Sequence, residues 1–321
     1  MHTHHRHQAS DLVHLAISAM SERGLEPEFS KQVERQLATI TGPGHETGST
    51  IRDLTALLWC SIDNDDSLDL DQLTVCEVLE QGKVRMLVAI ADVDALVKKG
   101  TPIDEHARIN TTSVYTSARI FPMLPERLST DLTSLNPHED RLAVVTEMIF
   151  NADASLAGST VYRARVRNKA KLAYDAVSAW IEGQGDLPAA AATVAGMEAQ
   201  LRTQDALAQQ LRVRRHQEGS LELETFQPRA VFEGEQVIDI RQQEQNRARQ
   251  LIEEVMIATN GCSARFLASQ HSASLRRVVR SPERWLRIVG VAKEYGEELP
   301  NEPDGKALEA FLAKRHKADP L

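Results

Sequence analysis

Cysteine is scarce in this chain: Cys60, Cys76 and Cys262 are the only three among 321 residues, odd in number and widely spaced. That excludes a Cys-rich zinc site and fits a reducing compartment. Long apolar runs are missing too. No segment reaches the roughly 20 residues of a membrane-spanning helix, and the start has no apolar stretch of a secretion signal, so cytoplasm is expected and a membrane is not. Positive charge is in deficit, with 37 Lys and Arg against 46 Asp and Glu, a formal net charge of -9. Such a balance argues against coating nucleic acid by bulk charge, while leaving room for a narrow basic channel in an acidic shell. No internal repeat is apparent. With 42% hydrophobic residues the chain can bury a large core, as one big domain or a domain with a helical extension.

The negative charge is concentrated. Asp63, Asp65, Asp66, Asp69 and Asp71 place five carboxylates in nine residues. Like charges so close repel unless cations neutralise them, and oxygen ligands of this kind suit a hard divalent ion such as Mg²⁺. A solvated acidic turn is the plainer alternative. Trp59, Ile62, Leu68, Leu70 and Leu73 interleave with the acids, which favours a loop anchored in a core. A calcium-binding helix-loop-helix is ruled out by Leu68 where the sharp turn needs Gly and by Thr74 where a bidentate Glu is needed.

Thr74 to Glu80 and Lys83 to Val93 read as two strands joined at Gln81-Gly82. The second, nearly all apolar, is expected to be buried on both faces and to end at Asp92. From here the sequence resembles a known family. Ile62 to Leu73, Val88-Ala89-Ile90-Ala91-Asp92-Val93, Val114-Tyr115 with Pro122-Met123-Leu124-Pro125 and Leu128-Ser129, and Ser134-Leu135-Asn136-Pro137 with Asp140-Arg141-Leu142 look like the catalytic domain of the ribonuclease II and R exoribonucleases. Lys169 to Asp175 and Leu251-Ile252-Glu253-Glu254 continue it, so the resemblance covers about residue 50 onward, in order.

The resemblance implies an α/β (α+β) fold of RNB type, a mixed sheet surrounded by helices. It also implies hydrolysis of single-stranded RNA from the 3′ end to nucleoside 5′-monophosphates with Mg²⁺ or Mn²⁺. The family's motif of four aspartates falls on Asp63, Asp69, Asp71 and Gln72. Asp63 and Asp69 would hold metal and Asp71 would be the carboxylate on which turnover most depends. Gln72 departs from the motif: it offers an oxygen without charge, so weaker or altered metal binding is expected, with a catalytically impaired RNA-binding relative as the alternative. Tyr115 matches the aromatic that stacks on RNA, although a Tyr anchoring a loop is the ordinary reading of such a residue. Tyr174 and Glu253 match positions that contact the ribose and bases near the 3′ end, where the 2′-hydroxyl distinguishes RNA from DNA.

Glu253 lies off a helical stripe of Leu251, Val255, Ala258, Cys262 and Phe266, on a helix whose flanks are also apolar. It therefore either lines a cavity or pairs, with Arg247 or Arg249 as candidates. Arg163, Arg165, Arg167, Lys169 and Lys171 recur every second residue, which on one strand gives a basic face able to track phosphates or merely a charged edge. Of these, Arg167, Lys169 and Lys171 are the RNA-binding candidates. Arg212, Arg214, Arg215 and His216 read as the last turn of a helix before Gly219.

The domain reading places an N-terminal helical segment at 1–45, with a disordered His-rich start, and the RNB-like domain at 46–321. Residues 9 to 40 read as helix broken at Gly24. Asp186-Leu187-Pro188 opens a helix running to about Gln217. Short strands are expected at Leu221 to Glu224, Ala230 to Phe232 and Val237 to Ile240, with a turn at Gly234, then helices from Ser281-Pro282-Glu283 and from Lys306 to Arg315. The family's N-terminal β-barrel modules do not fit before residue 45, and its later catalytic Arg and OB-fold module would lie past Leu321. Low activity of this chain alone is the expectation, as is a monomer.

Overall fold

A computed structural model describes residues 9–46, 50–116, 118–221, 228–233, 236–242, 245–275 and 284–319. The His-rich start, most of the strand expected at Leu221 to Glu224, the turn at Gly234 and the helix opening at Ser281-Pro282-Glu283 lie outside the described residues. Helices α1 (Ala9–Glu22) and α2 (Lys31–Thr39) come first, followed by strands β1 (Arg52–Asp53), β2 (Cys60–Asp63), β3 (Gln72–Val78) and β4 (Val84–Ala91). Then come α3 (Pro102–Asn110), the small hairpin β5 (Val114–Tyr115) and β6 (Ile120–Phe121), and the long strands β7 (Asp140–Phe150) and β8 (Leu156–Arg167). After β9 (Ala170–Ala173) the chain is mostly helical: α4 (Tyr174–Ile181), α5 (Ala189–Ala192), α6 (Met197–Gln217), the hairpin β10 (Pro228–Glu233) and β11 (Gln236–Gln242), α7 (Arg247–Ser269), α8 (Trp285–Glu294) and α9 (Gly305–Ala318). Among the described residues no helix is long and apolar enough to cross a membrane.

Among the described residues seven strands form one mixed sheet in the order β1-β8-β7-β4-β3-β2-β9. β1 runs parallel to β8 and β9 parallel to β2, and the neighbours between them are antiparallel. β4 is buried on both faces as its apolar run requires: Met86 and Val88 pack with α4, α6 and α7, while Leu87 and Ala89 pack on the other side with Trp59, Leu70, Leu135 and Val145. A third cluster joins Val33 of α2 to Ile103 of α3 and Leu124, Leu128 and Leu132. The segment before residue 46 is thus packed onto the sheet-bearing part.

Two expectations need correction. The helix read from Asp186 to Gln217 is two, α5 and α6, parted at Gly196. That residue has φ +85°, and a Cβ there would stand 3.0 Å from Leu58 Cδ1. The basic row from Arg163 to Lys171 is likewise not one strand face. β8 stops at Arg167 and β9 starts at Ala170, with four strands between them in the sheet order. Two linking residues reach about 10 Å, against roughly 24 Å across five flat strand spacings, so the sheet curls until its ends approach. The curl changes the buried side: Ala164 and Val166 lie in the Trp59 core, Ala170 and Leu172 in the helix-covered one. Lys171 therefore faces away from the side that Arg163, Arg165 and Arg167 share.

Candidate active site

The acidic run is the connection between β2 and β3, at one end of the sheet. Like charges alone would splay it, but it is pinned from below. Leu70 is buried, its N–H donates to Ser134 Oγ at 3.0 Å, and its carbonyl accepts from Leu135 N–H at 2.8 Å. Ser134 Oγ donates to the Leu68 carbonyl at 2.8 Å, and Ala91 N–H donates to the Asp71 carbonyl at 2.9 Å. Asn168, itself buried, holds the same corner by donating to Ser61 Oγ and the Leu135 carbonyl. The aspartates on either side of Leu70 are thereby fixed, each residue keeping an exposed surface.

Asp63, Asp69 and Asp71 share a field. The Asp71 carboxyl is pushed above the ordinary aspartate range, first by the protein packed around it, then by the charge of Asp63, against a lowering from its own N–H, and also by Asp69. Tyr115 is 65% exposed, and its hydroxyl donates to Asp69 Oδ2 at 3.2 Å. Its own proton is held more tightly, through burial of the hydroxyl end and then the charge of Asp69. Tyr174, the first residue of α4, has its hydroxyl pushed up to about 12, by burial first and Asp63 next, with Arg249 opposing. Two aromatics therefore flank three carboxylates, Tyr115 as the exposed wall and Tyr174 as the covered one.

The other expected site residues are placed differently. Gln72 opens β3 on the face of Thr74 and Cys76, towards the helices, because neighbouring strand residues point to opposite sides. It is 8% exposed, and its Oε1 meets no hydrogen-bond partner among the described residues. Arg167 donates to Asp140 Oδ1 at 2.6 Å, just as Arg163 holds Asp92 and Glu46 and Arg165 reaches Asp53. These carboxylates largely cancel the basic face of β8. Lys169 contributes its backbone N–H to the Trp59 carbonyl, while Lys171 Nζ reaches over the acidic loop to the Asp65 carbonyl at 3.2 Å. Glu253 is half-exposed and stands 3.9 Å from Arg215. Arg247 pairs with Asp205 instead, and Arg249 turns to the site.

Three residues escaped the sequence reading. Glu254, not Glu253, is the buried carboxylate of α7, gripped by the Arg215 guanidinium at 2.5 and 3.1 Å. Its position three residues after Leu251 and four before Ala258 lies inside the apolar stripe, a signal the helical spacing carries. Ser134 sits in a short polar segment ending in Pro137, with nothing local to mark it as the anchor of a loop 64 residues earlier. Arg249 carries no local signal either. Its Nη2 donates to Asn64 Oδ1 at 2.8 Å, and its guanidinium carbon lies 4.4 Å from the centre of the Tyr174 ring.

Among the described residues no three His, Cys, Asp or Glu side chains converge into a ready-made metal cage. The donor set fits a hard divalent ion nonetheless. Asp63, Asp69 and Asp71 supply oxygen and negative charge close enough to raise Asp71, and a cation relieves that repulsion.

With this geometry in view, the RNB domain model matches residues 51–319. The chain belongs to the RNB domain family. Ribonuclease R of Escherichia coli strain K12 is 36% identical over 290 residues, covering 88% of this chain and 35% of that protein. Exoribonuclease 2 of Escherichia coli strain UTI89 is 33% identical over 224 residues, 69% of this chain and 34% of that one. The chain thus spans about a third of the length of these curated relatives. Among solved structures, Mycoplasma genitalium RNase R in complex with ribose methylated single-stranded RNA superposes with a TM-score of 0.85 at 24% identity, over 95% of this chain and 48% of that one, a likeness of fold. RNB membership accords with the mixed sheet flanked by helices and with the order of the motifs along it.

Proposed function

We propose that this RNB chain carries the acidic centre of a metal-dependent exoribonuclease that hydrolyses single-stranded RNA from its 3′ end and releases nucleoside 5′-monophosphates. The observation that supports this reading most is the shared field of Asp63, Asp69 and Asp71 at an anchored loop, in a chain related to enzymes named Ribonuclease R and Exoribonuclease 2. Asp63, Asp69 and Asp71, with Gln72 as a neutral neighbour, would hold Mg²⁺ or Mn²⁺, which would supply positive charge for hydrolysis of the phosphodiester. The Asp71 carboxyl is raised from its ordinary range by burial and by the charge of Asp63, and a bound cation would offset that charge. Tyr115 offers an exposed ring for a base, oriented by its bond to Asp69. Tyr174 and Glu253 are assigned to the ribose end and Lys171, which reaches over the loop, to phosphates with Lys169 beside it, whereas Arg167 is committed to Asp140. The setting is the cytoplasm and the working unit a monomer.

Incubating the chain with uniformly labelled single-stranded RNA tests this: slow, ion-dependent release of mononucleotides supports it. Tight RNA binding without release, in the presence of Mn²⁺, would favour the second reading. That reading, an RNA-binding relative with impaired turnover, draws on Gln72 standing where the family motif has its fourth aspartate.

A further inference from the structure

The first turn of α7 is charged the wrong way round for a helix. It opens on Asn246, whose side chain accepts from the Arg249 N–H, and carries Arg247 and Arg249 with no acidic residue. The positive end of a helix ordinarily favours carboxylates, so two arginines there add charge of the same sign as the dipole. Arg247 is offset by Asp205, with nitrogen-to-oxygen distances of 2.8 and 2.9 Å. Arg249 is turned instead to the acidic loop. One guanidinium nitrogen holds Asn64 Oδ1, and the Asn64 N–H in turn donates to Asp63 Oδ1 at 2.6 Å. The flat of the guanidinium rests over Tyr174, an arrangement that fixes the plane of the arginine beside the acidic loop. The start of α7 is tied to α4 beside it, since Asn246 Nδ2 donates to Asp175 Oδ1 at 2.8 Å.

We infer that Arg249 is a phosphate-binding residue of this centre, held over Tyr174 and Asn64 so that it meets a phosphodiester drawn to the Asp63, Asp69 and Asp71 cluster. The inference rests on the RNA reading above and adds to it the group that offsets the charge of the substrate. Three carboxylates repel a phosphodiester, and a divalent ion offsets only part of that repulsion. An arginine delivered by a helix N-terminus is matched to the remainder in both charge and planar geometry.

The test uses the whole chain with metal chelated, so that RNA is not consumed, and a fluorescent single-stranded RNA as probe. Arg249→Gln should weaken binding about tenfold or more, and should reduce the slope of log affinity against log salt by about 0.7, the value for one phosphate contact on a single strand. Arg249→Lys should recover part of the affinity and the full slope. The second probe is the same RNA with its 3′-terminal linkage replaced by a neutral methylphosphonate. The parent chain should lose affinity for that probe, while Arg249→Gln should bind both probes alike. An unchanged salt slope in a folded Arg249→Gln variant, or an equal penalty for the neutral linkage in parent and variant, overturns the assignment. If the parent chain binds neither probe, the RNA reading itself has failed and Arg249 falls with it.

Discussion

Removing the Ser134 hydroxyl should harm activity more than stability. Ser134→Ala leaves the buried Leu70 N–H without its 3.0 Å acceptor, and frees the Leu68 carbonyl, which lies on an exposed residue and regains water. Only the first loss counts fully, and an unsatisfied buried donor costs about 1–3 kcal/mol, against a total stability of roughly 5–15 kcal/mol. At about 2–4 °C per kcal/mol for a domain of this kind, the melting temperature should drop by several degrees and the chain should remain folded at 25 °C. The larger consequence is local. Leu70 stands between Asp69 and Asp71, so a shift that rehydrates its N–H moves both carboxylates, and a misplacement of about 1 Å at a reacting centre can cost about a hundredfold in rate. Calorimetric melting and mononucleotide release, measured side by side with Ser134→Thr as the variant that keeps a hydroxyl, separate the two effects. A Ser134→Ala chain that melts lower yet releases nucleotides at the parent rate would refute the positioning argument; one that melts like the parent would refute the hydrogen bond itself.

Neighbouring residues on α7 should behave oppositely. Glu254→Ala removes the buried carboxylate that the Arg215 guanidinium grips and should cost about 3 kcal/mol in chemical denaturation, whereas Glu253→Ala should leave the denaturation midpoint nearly unchanged and narrow the preference for RNA over DNA. Gly196→Ala forces a side chain into the left-handed region and against Leu58, and thermal melting should register a loss of about 1–2 kcal/mol. Gln72→Asp should lower the Mn²⁺ concentration at half-saturation, read by calorimetric titration; no change would remove Gln72 from the metal's surroundings. Because the Asp71 carboxyl is raised in the folded chain, its contribution to stability is complete below the ordinary aspartate value and is lost as pH rises through the raised one. Metal-free Asp71→Asn should therefore melt higher than the parent at pH 7, the gap closing as pH falls towards 4, and a parent that melts higher at pH 7 would contradict the crowding of the three carboxylates.

The loop from Asp63 to Asp71 was legible because Ile62, Leu70 and Leu73 among and beside its acids are buried, although Leu68 stands exposed, and β4 because eight nearly apolar residues bounded by turns leave little alternative. What linear spacing cannot carry is pairing at a distance. Arg163, Arg165 and Arg167 read as a basic face until Asp92, Glu46, Asp53 and Asp140, drawn from four separate segments, cancel them. The row's continuity failed for a related reason: period-two alternation survives the passage from β8 to β9 even though the core being served changes at Asn168. Ser134 and Arg249 act on the acidic loop from 64 and 185 residues away, so nothing beside them in the sequence marks their role.

The central claim is that hydrolysis takes place at the aspartates between β2 and β3. Its most direct test is release of nucleoside 5′-monophosphates from single-stranded RNA across a titration of Mg²⁺ or Mn²⁺, by the parent chain and by Asp71→Asn at equal RNA occupancy. The account predicts release, even if slow, that requires the ion in the parent and is abolished in the variant while RNA binding persists. Equal release by both proteins, or release that survives chelation of the ion, would contradict it.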